Sequence, residues 1–189
     1  MKKLFIRILV LECFLFINLY TITFANTPLK VSFIPISEFS IGGISFQSTL
    51  QDVINIYGKP TSITPPHENS SYTSSGPYMM SQNFITYNYN NKFIIEAYND
   101  GLSWDPKDLF VYSVTIKDAN NLSTPSGFHV GQSFSSVTNI YGYTAKLKKS
   151  TNRNNNYSYY CYKYYEATLI FAVDYNNIIR EISIWGVTC

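Results

Sequence analysis

The sequence predicts an α+β fold of two tandem units, each a short helix packed on a four-stranded antiparallel sheet. Three observations predict it. A sixteen-residue segment recurs without a gap, each copy carries apolar residues at helical spacing, and each copy is followed by runs that alternate apolar and polar.

The chain opens with Lys2, Lys3 and Arg7, an apolar run from about Ile8 to Ile17, and then Thr23-Phe24-Ala25. A basic start, an apolar middle and small residues before a cut are the parts of a secretory signal, with cleavage after Ala25. Glu12 and Asn18 interrupt the run and favour cleavage over the rival reading, an uncleaved anchor. Residues 1–25 are thus read as signal peptide, 26–118 as the first unit, 119–126 as a polar linker with Pro125, and 127–189 as the second unit. The expected location is extracytoplasmic, secreted or at the cell envelope, with no membrane insertion of the mature chain.

The first copy of the repeat runs from Gly43 to Gly58 and the second from Gly127 to Gly142. Gly43, Val53, Asn55, Ile56, Tyr57 and Gly58 match Gly127, Val137, Asn139, Ile140, Tyr141 and Gly142. Thr49 and Ser133 are candidate helix N-caps, because their hydroxyls can accept a backbone N–H of the first turn. Asp52 suits the positive helix end. Leu50, Val53, Ile54 and Tyr57 make one apolar stripe, which Phe134, Val137 and Tyr141 repeat. Gly58 and Gly142 supply the stop. Helices this short need a sheet to pack on.

Strand-like runs follow near 60–65, 83–90, 92–99 and 109–117, and again near 143–149, 157–165, 168–175 and 178–186. Phe93, Ile95 and Ala97 alternate with Ile94, Glu96 and Tyr98, the pattern of a strand covered on one face. Asn90-Asn91 and Asn176-Asn177 are candidate tight turns. The first unit carries two insertions, Pro65 to Met80 and Asp100 to Asp108, the second holding Trp104.

Charge narrows the function. Removing Lys2, Lys3, Arg7 and Glu12 from 14 basic and 12 acidic residues leaves the two signs balanced. No basic footprint for nucleic acid remains; Lys146, Lys148, Lys149 and Arg153 read as a solvated strand and loop. No phosphate-binding loop, His-Glu-x-x-His or paired Cys-x-x-Cys occurs, so no metal or cofactor is expected. Asp100, Asp105 and Asp108 read as a solvated hairpin tip rather than a calcium loop. No catalytic constellation is spaced for action, and a non-catalytic protein is expected.

Cys161 and Cys189 remain after cleavage, and an even count in an exported chain points to a disulfide. A metal pair or a Cys-His site with His67 or His129 are the competing readings. A simple meander would put Cys161 two strands from the last one, about 10 Å away, so the tail from Gly186 would have to fold back.

The glycine, the capped helix with Val and a terminal Tyr-Gly, and the following meander together resemble the units of the secreted β-lactamase inhibitor protein family. They are also similar to small outer-membrane assembly lipoproteins of the SmpA/OmlA type, and the signature occurs in many secreted bacterial proteins. The tandem arrangement resembles the inhibitor family more. That resemblance implies a curved sheet whose concave face clasps a partner protein. No contact residue of the inhibitors matches a position here.

The aromatic residues supply the candidate surface. If Tyr165 corresponds to Tyr89 and faces the helix, Tyr160, Tyr162 and Tyr164 line the open face with Trp185, and Trp104 stands at the rim. Tyr and Trp are favoured at protein interfaces because they bury much area at low entropic cost. The bland alternative is a half-buried tyrosine-rich sheet without a ligand. The reading is an extracytoplasmic module that binds an unidentified protein through an aromatic sheet face, the alternative a structural envelope module, and a hydrolase comes third.

Overall fold

A computed structural model describes residues 34–68, 83–90, 92–98, 103–117, 119–142, 148–152, 156–165 and 167–186. Residues 1–25, read as a signal, lie outside these, as do most of the first insertion and Cys189.

The described chain is mostly β. A 3-10 turn, Ile36–Glu38, leads into a two-stranded hairpin, β1 (Ser40–Ile41) and β2 (Ile44–Ser45). Helix α1 (Leu50–Tyr57) follows, then β3 (Ser62–Glu68), β4 (Asn83–Tyr89), β5 (Phe93–Tyr98) and β6 (Phe110–Ile116). Helix α2 (Ser135–Tyr141) precedes β7 (Lys148–Asn152), β8 (Tyr157–Tyr164), β9 (Ala167–Val173) and β10 (Ile179–Trp185).

This corrects the expected fold class. Seven of the eight strand-like runs overlap strands, and the run near 143–149 lies mostly outside the described residues, but the strands do not make two four-stranded sheets. They join one antiparallel sheet of eight in the order β3-β4-β5-β6-β10-β9-β8-β7. Strands β6 and β10 pair through Ile116↔Ile182, Val114↔Ile184 and Ser113↔Trp185. Two separate sheets would each leave a row of unpaired backbone groups along a buried apolar strand. Pairing β6 with β10 satisfies both rows. The helices, of 8 and 7 residues, are too short to make an α layer.

Helix α1 is capped as its sequence demands. Thr49 accepts from the Asp52 backbone N–H at 3.2 Å, and the Asp52 carboxylate accepts from the Thr49 backbone N–H at 2.8 Å. The Thr49 backbone N–H and the Thr49 hydroxyl both donate to this carboxylate and hold the exposed Asp52 carboxyl below its ordinary range. Helix α2 departs from expectation. It begins at Ser135 with Phe134 at the N-cap, and the Ser133 hydroxyl accepts from the Ser135 N–H at 3.3 Å and from the Asn177 side-chain amide at 3.2 Å.

Both helices and the β1–β2 hairpin lie on one face of the sheet. Leu50, Val53, Phe134, Val137, Phe39, Ile41 and Ile44 are buried there against Tyr87, Ile95, Val114, Ile184, Leu169 and Phe171. The expected linker is stitched down. The Ser123 carbonyl accepts from the Gly42 N–H, and the Ser126 hydroxyl and N–H both donate to Glu38. Tyr141 donates its phenol hydrogen to the same carboxylate. In α1 the matching Tyr57 donates instead to the Gly42 carbonyl at 2.5 Å.

Candidate functional site

Strand register decides what the sheet presents opposite the helices. Side chains alternate between faces, so residues paired with a core-facing residue share its face. Ile95, Val114, Ile184 and Leu169 form one core-facing row, and Leu169 pairs with Tyr162. Tyr160, Tyr162 and Tyr164 therefore face the helices. Tyr160 stacks on Phe134 at 4.2 Å between ring centroids, Tyr162 meets Tyr141 edge-on at 5.6 Å, and Tyr164 meets Phe39 at 5.9 Å. Tyr162 is only 1% exposed. The expected open-face set is thus corrected: these three rings belong to or lean on the core.

The cause is a one-residue slip. Tyr164 pairs with Ala167, and Tyr165 stands in the turn at φ 46° with its ring 80% exposed. It is not the counterpart of Tyr89, which lies inside β4 and pairs with Phe93. Shifting a strand by one residue exchanges its faces.

Trp185 points to the helix-free face, opposite to the three tyrosines. A β-bulge is the reason that it has aromatic company. Glu96 pairs with Ser113 but Ala97 pairs with Val111, leaving Tyr112 as the extra residue of β6. A bulge can place two consecutive side chains on one side of a sheet. Here Tyr112 packs edge-on against Phe84 at 4.7 Å, Tyr98 at 6.3 Å and Trp185 at 6.1 Å. Ser113, its neighbour, hydrogen-bonds Glu96 on the same face at 3.0 Å. Phe110 extends the strip beside Tyr98 and is 38% exposed. Five rings from β4, β5, β6 and β10 thus run across one end of the helix-free face, with Phe84 and Tyr112 buried and Tyr98, Phe110 and Trp185 partly exposed.

A polar row adjoins the rings. Thr115 and Ser183 share a hydrogen bond of 3.0 Å, Ser183 donates to Glu181 at 3.3 Å, and Lys117 lies 3.6 Å from Glu181. Near the same end of the sheet, an open cleft of about 510 Å³ is lined by Ile36, Phe46, Gln47, Tyr164 and Tyr165.

Trp104 is 48% exposed in the loop before β6. That loop is anchored to the start of α1, where Leu50 and Gln51 donate to the carbonyls of Leu109 and Pro106. Cys161 is buried in β8 on the helix-free side, paired with Ile170. The described residues contain no disulfide, and Cys189 lies outside them. No group of three or more His, Cys, Asp or Glu residues suited to a metal ion occurs among the described residues. No helix among them is long and apolar enough to cross a membrane.

No protein-family model matches the chain, and no curated protein does. Among solved structures, a DUF4309 family protein from Bacillus subtilis is similar at 13% identity and a TM-score of 0.42, covering 77% of this chain and 83% of that one. An extracellular protein containing an SCP domain, from Bacillus anthracis, is similar at 9% identity and 0.46, covering 74% of this chain and 43% of that one. A cysteine-rich secretory protein from Staphylococcus aureus matches at 9% identity and 0.44, covering 74% and 44%. The chain thus spans less than half the length of the last two.

Sequence reasoning had Glu96 and Tyr98 on the outward phase of β5. It missed Phe110, Tyr112 and Ser113 as their neighbours on that face, because a bulge leaves no mark in a run as apolar as Phe110-Val111-Tyr112-Ser113-Val114.

Proposed function

We propose that the protein is an extracytoplasmic, non-catalytic binding module whose recognition surface is the aromatic end of the helix-free sheet face. The basic start and apolar run of residues 1–25 support the compartment. The observation that carries the surface is the β-bulge at Tyr112-Ser113, whose buried Tyr112 backs the partly exposed rings of Tyr98, Phe110 and Trp185 beside hydrogen-bonding groups. Rings with a polar surround suit a protein interface, where aromatic residues anchor and a polar rim gives register. The resemblance of the Gly–helix–Tyr-Gly segments to the secreted β-lactamase inhibitor family favours a protein as the partner.

The test is affinity capture of envelope and secreted proteins on wild-type protein and on variants. Tyr98→Ser and Phe110→Ser should lose any specific partner. Tyr175→Ser, which removes an 88% exposed ring from the β9–β10 turn, should keep it. Retention of every captured protein by the Tyr98 and Phe110 variants would remove this face as the binding surface.

A further inference from the structure

Glu96 and Glu181, both on the helix-free face, differ in electrostatic setting. Glu181 is neutralised by Lys117 at 3.6 Å and also accepts from Ser183. Glu96 accepts only the hydroxyl of Ser113 among the described residues, and no cation lies against it there. It is half-buried, on the floor of the aromatic strip.

Register fixes its surroundings. Glu96, Ser113, Trp185, Thr168 and Lys163 form one row across β5, β6, β10, β9 and β8. Four strand spacings, about 19 Å, separate Glu96 from Lys163, which is too far to neutralise it in salt water. Tyr98 follows Glu96 by two residues on the same face, and Tyr112 and Trp185 flank Ser113. In the same row the indole Nε1–H of Trp185 is buried and has no acceptor among the described residues.

A carboxylate with no cation against it among the described residues, beside the partly exposed rings of Tyr98 and Trp185, is complementary to a planar cation. We infer that this surface takes an arginine side chain of the protein partner. The guanidinium pairs with Glu96 and stacks on the partly exposed rings of Tyr98 and Trp185. Arginine suits the place better than lysine because its planar, weakly hydrated head can stack and pair at once. The inference rests on the proposed binding face and names what that face recognises.

The experiment is an NMR titration of the purified protein with N-acetyl-arginine methylamide, and with N-acetyl-glutamine methylamide as the neutral control. The chain has two Trp residues, so Trp104→Phe assigns the Trp185 indole resonance. The arginine probe should shift that resonance saturably, and the glutamine probe should not. Glu96→Gln should weaken the response about tenfold, as expected for loss of a charge-assisted bond beside a cation–π contact. Glu181→Gln should leave it unchanged, and added salt should weaken it. Glu96→Gln keeps an acceptor for Ser113, so an unaltered melting temperature checks its fold. If it misfolds, the salt dependence and the neutral probe carry the decision. An equal response to both probes, or none to arginine, overturns the inference. If arginine fails while Tyr98→Ser and Phe110→Ser still lose a captured partner, the face stands and only the cation is wrong. If those variants also keep the partner, the face falls with it.

Discussion

The carboxylate of Glu38 accepts the phenol hydrogen of Tyr141, 103 positions later in the chain. Glu38 is buried at 6% exposure, and Ser126 supplies two further donors to it from the segment between the halves. One side chain thereby ties the turn before β1, the connecting segment and α2 together. A buried carboxylate is tolerated only when its oxygens are satisfied. We expect Tyr141→Phe to destabilise the fold by about 1–3 kcal/mol, the cost of leaving a buried acceptor short of one donor. Urea denaturation of Tyr141→Phe, Ser126→Ala and the double variant measures it. Non-additivity above about 0.5 kcal/mol would show the three groups acting as a unit. Strict additivity would contradict the description.

Alkali should unfold the protein. Burial raises the phenol of Tyr89 to about 12, with the neighbouring Tyr87 adding to it. Burial and then the Glu38 bond hold Tyr141 far above the ordinary tyrosine value, and burial raises Tyr57 and Tyr87 as well. A phenol whose folded pKa exceeds its unfolded one favours the neutral form in the fold. Its contribution is complete below the unfolded value of about 10 and is lost as pH climbs through the folded value. Phenolate absorbance followed with circular dichroism should show a late group of tyrosines ionising together with loss of structure. Smooth titration of all tyrosines near pH 10, with structure intact, would refute the burial.

The two faces of the sheet should respond oppositely to ring removal. Tyr162→Ser empties a site between Tyr141 and Phe171 and should cost about 3–5 kcal/mol, in the range of large aromatic deletions. Phe110→Ser, on the helix-free side, should cost about 1 kcal/mol or less. Thermal melts compare them directly. Equal losses would mean that Phe110 is held in the core.

Gly42 cannot accept a side chain. Its φ is +57°, and an added Cβ would lie 2.4 Å from the Tyr57 hydroxyl oxygen, which its own carbonyl holds. Gly42→Ala should therefore destabilise by more than about 1 kcal/mol. Tyr57→Phe removes the obstructing oxygen, so the double variant should lose less than the sum of the two singles. A full sum in chemical denaturation would place the strain elsewhere.

How much of this was legible depends on residue spacing. The stripe Leu50, Val53, Ile54, Tyr57 and the Thr49–Asp52 pair define α1 from sequence, since helix period and cap chemistry are local. Phe93, Ile95 and Ala97 likewise disclose the buried face of β5. What local pattern could not disclose was which strands become neighbours. The pairing of Ile116 with Ile182 joins residues far apart in the chain, and apolar strand ends satisfy two sheets or one equally well on paper. The face of β8 hung on whether Tyr164 or Tyr165 ended the strand. In a run as uniform as Tyr159-Tyr160-Cys161-Tyr162-Lys163-Tyr164-Tyr165, hydrophobicity does not mark the boundary. The positive φ of Tyr165 does.

The order of the sheet also governs how the chain reaches it. Strand β10 comes last in order among the described strands, yet it occupies the middle of the sheet beside β6. A chain emerging N-terminus first completes β3 to β6 early and then holds the outer edge of β6 unmatched until β10 arrives, after α2 and β7 to β9. Closing that contact requires a large loop, so assembly carries a high contact order and a correspondingly slow final step. During that interval the β6 edge is a template for any extended segment, including β10 of another copy. Chains cut short before Ile179 would keep that edge permanently, which makes domain exchange and aggregation, rather than a smaller soluble fold, the expected fate of C-terminal truncation.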